Sequence, residues 1–156
     1  MVSDQTKNDS RNALITGLAL GEILGGRKVL ILTKRVEHAK TLANRLEMAF
    51  LADSSDKQRN EMLKKLKKEP DSFGILIGTT SLLSVGVDIP SLDTLILACE
   101  MKGEVLTTQS AGRILRLFEG KPTPKIIDIV DGLSHSHSIN AYRIGISKFM
   151  CLVFTH

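Results

Sequence analysis

The sequence predicts a three-layer α/β domain, a parallel sheet with helices packed on both faces. Three observations predict it. Short continuous apolar runs recur along the chain, which is how strands buried on both faces read. Segments with apolar residues at helical spacing lie between those runs. Gly, Pro or a capping residue punctuates the changes of pattern. With 156 residues, 42% of them hydrophobic, the chain can bury one real core.

The elements follow in order. Residues 1 to 9 read as a flexible lead-in or the end of a linker, and residues 10 to 150 as a single domain. Ser10 can cap a helix with Leu14, Ile15, Leu18 and Ala19 on its apolar face, stopped at Gly25 and Gly26. Lys28 to Thr33, K-V-L-I-L-T, is a buried strand. Val36, Ala39, Leu42, Ala43 and Leu46 form the core face of the next helix. Met48 to Ala52 reads as a strand. Ser55 and Gln58 form a capping box ahead of a helix with Met62, Leu63 and Leu66 inward. Lys64, Lys65, Lys67 and Lys68 fall away from that face and read as a solvated surface. Pro70 ends the helix. Phe73 to Gly78, Leu92 to Ala98 and Lys125 to Val130 are further buried strands, and a last helix is expected from about Ser138 to Met150. The order β-α-β-α-β-loop-β-α-β calls for right-handed crossovers.

Composition narrows the function. The net charge is +4, with a pI near 9.2, compatible with nucleic acid. With no Trp and one Tyr, stacking of bases on aromatic platforms is not the expected binding mode. Cys99 and Cys151 make no disulfide framework, which points to a reducing compartment. No apolar run approaches the roughly 20 residues of a membrane span, and the polar start M-V-S-D-Q-T does not read as a signal peptide. A cytoplasmic location is expected, host cytoplasm if the chain is phage-encoded, with the nucleus left open.

In such sheets function sits at the carboxyl ends of the strands. Four polar segments fall there: Thr33 to Arg35, Thr79 to Ser81, Gly86 to Asp88, and the stretch leading into T-T-Q-S-A-G-R-I-L-R, residues 107 to 116. On a helix, Gln109, Arg113 and Arg116 share one stripe at i, i+4 and i+7. Ala111, Ile114, Leu115 and Phe118 take the other side, and Thr107 or Thr108 can cap. Paired arginines on a rigid element suit forked hydrogen bonds to phosphate. Yet no phosphate-cradling loop accompanies them. In G-E-I-L-G-G-R-K, Gly21 to Lys28, no Ser or Thr follows the lysine, and the segment precedes a strand instead of following one. No paired acidic motif for magnesium is present. The cradle is therefore expected on another domain.

Three motifs in order carry a family resemblance: V-L-I-L-T-K-R; Thr80-x5-Gly86-x-Asp88; and Q-S-A-G-R-I-L-R from Gln109 to Arg116. With them the chain resembles the second RecA-like domain of superfamily 2 helicases and translocases, over roughly Leu14 to Asp131. In the DEAD-box branch, arginine is usual where Val85 stands and aspartate where Ser81 stands. The G-R-I-L-R form is more similar to the branch of phage recombination helicases, transcription-repair helicases and restriction-enzyme motors. That likeness favours DNA over RNA. Ser110 stands where many relatives have arginine.

The resemblance implies roles. Arg113 and Arg116 would be arginine fingers reaching ATP, with its magnesium, held mainly by an absent first RecA-like domain of the same polypeptide. Gln109, Gly86 and Asp88 would line the nucleotide, and Gly112 would permit close approach of the domains. Thr79 and Thr80 would meet the nucleic-acid backbone, Thr80 through its hydroxyl and its N–H. Thr33, Lys34 and Arg35, at a strand end and helix start, would favour phosphate. The plainer readings stand beside these: a surface ion pair for either arginine, a turn residue before Pro90 for Asp88, solvated charge for Lys34 and Arg35. Lys102 and Gly103 fall where helicases often carry a mobile loop. His135 and His137 make a poor metal site, and no metal ligand is assigned.

The chain is thus expected to be the C-terminal motor half of an ATP-dependent DNA helicase or translocase, acting in repair or recombination and inactive alone. The alternative is a stand-alone, non-catalytic nucleic-acid-binding or regulatory module of the same fold. A dinucleotide-binding domain is disfavoured, because no G-x-G-x-x-G follows a strand.

Overall fold

The computed structural model describes residues 7–52, 56–82, 87–99, 123–131 and 150–155. In chain order the elements are α1 (Asp9–Leu24), β1 (Val29–Thr33), α2 (Val36–Arg45), β2 (Ala49–Leu51), α3 (Asp56–Lys68), β3 (Ile75–Thr79), β4 (Thr94–Leu97), β5 (Lys125–Asp131) and β6 (Met150–Thr155). The six strands form one sheet in the order β2-β3-β1-β4-β5-β6. Every pairing is parallel, with β1 at the centre between β3 and β4.

Two apolar layers flank the sheet, and strand alternation assigns residues to them. Val29 and Ile31 of β1, Ile75 and Ile77 of β3 and Ile127 and Ile129 of β5 pack with Ile15 and Ala19 of α1 and Ala39, Leu42 and Leu46 around α2. Leu30, Leu32, Leu76, Leu95, Leu97 and Ile126 face the other way and pack with Leu66 of α3, with Met62 and Leu63 partly buried beside it. Helices α2 and α3 thus lie on opposite faces. That is what two crossovers of one hand require when the first runs outward from β1 to β2 and the second runs back to β3.

Local chemistry explains the boundaries. Helix α1 starts at Asp9, and its cap is Asn8, whose Oδ1 accepts from the Arg11 N–H at 3.0 Å. Ser10, the cap expected from the sequence, lies inside the first turn. At the other end Gly26 adopts φ 79°, open to glycine at little cost. Its N–H donates to the Ile23 carbonyl and that of Arg27 to the Glu22 carbonyl, the paired bonds that close a helix over an αL residue. Helix α3 stops at Lys68, two residues before Pro70; the expected cap Ser55 lies outside the described residues. So does most of the helix expected from Ser138, but Met150 begins a strand. The sheet therefore extends past residue 150, through M-C-L-V-F-T.

Polar groups stitch the amino ends of the strands together. Asp93 is 3% exposed, and its Oδ1 accepts from the Lys28 N–H at 3.1 Å and the Thr94 hydroxyl at 2.9 Å. The Arg27 guanidinium stands 4.0 Å away. Asp93→Ala would leave the partly buried Lys28 N–H without its acceptor, a loss of about 1 kcal/mol. Thermal unfolding is expected to show that loss for Asp93→Ala and a smaller one for Asp93→Asn, which keeps the acceptor; equal melting of Asp93→Ala and the parent would refute it.

Candidate functional site

Strand β1 feeds its connection through α2 to β2 on one side of the sheet, whereas β4 leads to β5 on the other. Neighbouring strands with diverging connections open a crevice at their carboxyl ends, where α/β sheets bind ligands. By that rule the crevice would lie between the end of β1 at Thr33 and the end of β4, where the Ala98 N–H donates to the Leu32 carbonyl at 2.9 Å.

Beside it, β1 and β3 end in register, Thr33 opposite Thr79. The Thr80 N–H donates to the Thr33 carbonyl at 2.9 Å. Of the two Thr80 groups expected from the sequence to meet a phosphate, the N–H is thus already bonded within the fold. Thr33 itself is fully buried, and its hydroxyl donates to the Arg35 carbonyl at 3.0 Å. It braces the turn from inside instead of presenting its side chain to a ligand. Thr79 and Ser81 share a hydroxyl–hydroxyl bond of 2.6 Å. Buried Leu82 follows at once and anchors the turn to the core.

Lys34 and Arg35 are exposed on the same edge. Arg35 occupies the N-cap of α2 in extended conformation, and no side chain caps the helix there. An N-terminus without a side-chain acceptor, next to two cations, is chemically suited to an anion. Lys34, Arg35, Thr79 and Thr80 thus share one edge, with Thr33 beneath it.

Asp88 is held outward by its neighbours, since Val87 and Ile89 are both buried in the α3-side core. Its carboxylate pairs with Lys67 of α3. Both side chains are about half exposed, so the pair adds at most about 1 kcal/mol. It gives one lysine of the supposedly solvated run a partner. Gly86, Gln109, Gly112, Arg113 and Arg116 lie outside the described residues, as do Lys102, Gly103, His135 and His137.

Sequence reasoning missed three polar residues behind this edge. Arg11 and Asn12 of α1 and His38 of α2 are 2%, 1% and 4% exposed. An Arg11 Nη donates to the Ala98 carbonyl at 3.1 Å, and Asn12 Oδ1 meets His38 Nε2 at 2.8 Å. His38 falls four residues before Leu42, on the buried stripe, which was a usable signal. Polar residues in the first turn of a helix carry none, because such positions are usually solvated.

The glycine pair Gly25-Gly26 does not fit triphosphate. The N–H groups of Gly25, Gly26 and Arg27 all donate to helix carbonyls, and the pair precedes β1, away from the carboxyl edge. Among the described residues no group of three or more His, Cys, Asp or Glu could hold a metal ion. No helix among them is long and apolar enough to cross a membrane.

Comparison with known proteins identifies the family. Residues 10–118 match the model of the helicase conserved C-terminal domain. The chain is 30% identical over 145 residues to the putative helicase 161L of Invertebrate iridescent virus 6, covering 84% of this chain and 31% of that protein. It is 31% identical over 120 residues to the transcript termination protein OPG145 of Variola virus, covering 72% and 24%. It therefore spans about a quarter to a third of the relatives it matches. The crystal structure of T4 UvsW superposes with a TM-score of 0.67 at 19% identity, over 96% of this chain and 35% of that one.

Proposed function

The chain belongs to the family of the helicase conserved C-terminal domain, and from that premise we propose that it is the C-terminal motor half of an ATP-dependent DNA helicase or translocase. The observation that carries this reading is the carboxyl edge of β1 and β3. Exposed Lys34 and Arg35 flank the uncapped start of α2, beside the hydroxyls of Thr79 and Thr80. That edge can grip a sugar-phosphate backbone without reading bases, as a translocating motor requires.

The nucleotide half of the reading rests on family resemblance. ATP with magnesium would be cradled by a first RecA-like domain, since the Gly25-Gly26 pair is committed to ending α1. From this side Gly86, Asp88 and Gln109 would line the nucleotide, and Arg113 and Arg116 would meet its terminal phosphate. Bound ATP would supply the phosphoryl group whose loss drives the motor. The chain's own part is to neutralise charge and to close and open against its partner domain. Asp88 would exchange Lys67 for that environment on closure. A role in repair or recombination is suggested by the branch its motifs resemble.

The test is nucleic-acid-stimulated ATP hydrolysis by a polypeptide joining this chain to its upstream ATP-binding domain. Thr80→Ala is expected to raise the single-stranded DNA concentration for half-maximal stimulation by about 3- to 10-fold, the loss of one solvent-accessible hydrogen bond. DNA is expected to stimulate more than RNA of equal length. Parental stimulation of Thr80→Ala would remove this contact, and a preference for RNA would overturn the DNA assignment.

A further inference from the structure

Buried arginine is rare, and its guanidinium stays buried only when its donors are used. The first turn of α1 nevertheless buries Arg11 and its neighbour Asn12 together. These two residues reach different parts of the carboxyl edge. Arg11 donates to the carbonyl of Ala98, the first residue beyond β4. From there the chain continues toward Gln109, Arg113 and Arg116. Asn12 holds Nε2 of His38 in the first turn of α2, three residues past Arg35. A single helical turn therefore grips both walls of the crevice between β1 and β4. One wall carries the expected nucleic-acid residues, and the other leads to the expected nucleotide residues.

We propose that Arg11 and Asn12 form a positioning pair that couples the nucleic-acid wall of this crevice to the nucleotide wall, with His38 as the contact on the first. The proposal rests on the motor reading above. A shift of the α2 start on binding a phosphate backbone moves His38, and through Asn12 the adjacent Arg11. Its hydrogen bond then displaces the carbonyl at the exit of β4. Buried hydrogen-bonded groups transmit such shifts because the packed interior has no slack to absorb them. The coupling is reciprocal, so nucleotide binding would alter nucleic-acid affinity by the same factor.

The experiment measures ATP turnover against single-stranded DNA concentration in the polypeptide that includes the upstream domain, with the melting temperature of each variant alongside. His38→Leu and Arg11→Met are expected to keep DNA-free turnover within about twofold while the stimulation by DNA falls by about tenfold, within the range of coupling changes made by residues that touch neither ligand. His38→Gln, which restores an N–H donor near Nε2, is expected to recover most of the stimulation. Asn12→Ser withdraws the acceptor while leaving His38 and the α2 face it lies on unchanged, and serves if His38→Leu does not fold; it is expected to show the same tenfold loss. Parental stimulation in folded His38→Leu or Asn12→Ser would overturn the coupling. So would a proportional fall of basal and stimulated turnover, the mark of a merely structural role. A parent that responds to neither DNA nor RNA would instead overturn the motor reading, and this inference with it.

Discussion

Replacing Arg113 by alanine in the polypeptide with its upstream domain is expected to lower ATP turnover by about 10³-fold or more, the magnitude of an arginine finger in related phosphoryl transfer. Affinity for single-stranded DNA should remain within about twofold of the parent, because phosphate contacts elsewhere supply it. Gln109, Arg113 and Arg116 repeat at a spacing that would place them on one stripe of a helix, opposite apolar positions. A planar guanidinium on a rigid helix presents forked donors that a lysine cannot reproduce. Arg113→Lys should therefore recover little of the lost turnover. Equal ATP hydrolysis by Arg113→Ala and parent, measured at saturating DNA, would remove the finger assignment.

Gly78→Ala is expected to destabilise this chain by about 1–3 kcal/mol, the usual cost of forcing extra volume into a packed core. Gly78 lies in β3 one residue before Thr79. A Cβ built there would overlap Leu82 Cδ1, would come within 3.0 Å of Leu82 Cγ, and would stand 3.6 Å from the Ala52 Cβ. Leu82 is fully buried, so its side chain would have to repack inside the core. Because Leu82 anchors the turn that carries Thr80 and Ser81, a displaced Leu82 would also move the candidate nucleic-acid edge. Thermal unfolding should show the loss, and Gly78→Ala combined with Leu82→Ala should cost less than the two single changes added, as neighbours sharing one space do. Strict additivity, or an unchanged melting temperature for Gly78→Ala, would show that the site accommodates the methyl group.

Much of the fold was legible because its strands are buried on both faces and its helices on one. V-L-I-L and I-L-I-G, short and set off by turn residues, read as interior strands, and Ala39, Leu42 and Leu46 marked α2 by their spacing. β6 escaped because M-C-L-V-F-T follows a segment with helical spacing, and a short apolar run does not declare its own secondary structure. The cap of α1 fell on Asn8 instead of Ser10, since both residue types cap well and only the fold decides which turn comes first. At the site, the grouping of Thr33, Lys34, Arg35, Thr79 and Thr80 followed from placing strand ends on one edge. Which groups remain available did not. The commitment of the Thr80 N–H to Thr33, and the pairing of Asp88 with Lys67, depend on register and packing across distant segments. Arg11 and Asn12 were illegible for the same reason, because the bond from α1 to Ala98 spans 87 residues.

As one half of a motor, this chain would depend on a partner domain for its phosphate cradle. ATP hydrolysis by the chain alone, beside a polypeptide that includes the upstream domain, each with and without single-stranded DNA, tests that dependence most directly. The expected result is no turnover by the chain alone and DNA-stimulated turnover by the longer polypeptide. ATP hydrolysis by the 156 residues alone, abolished by Arg113→Ala, would contradict it and place a complete nucleotide site within this chain or between its copies.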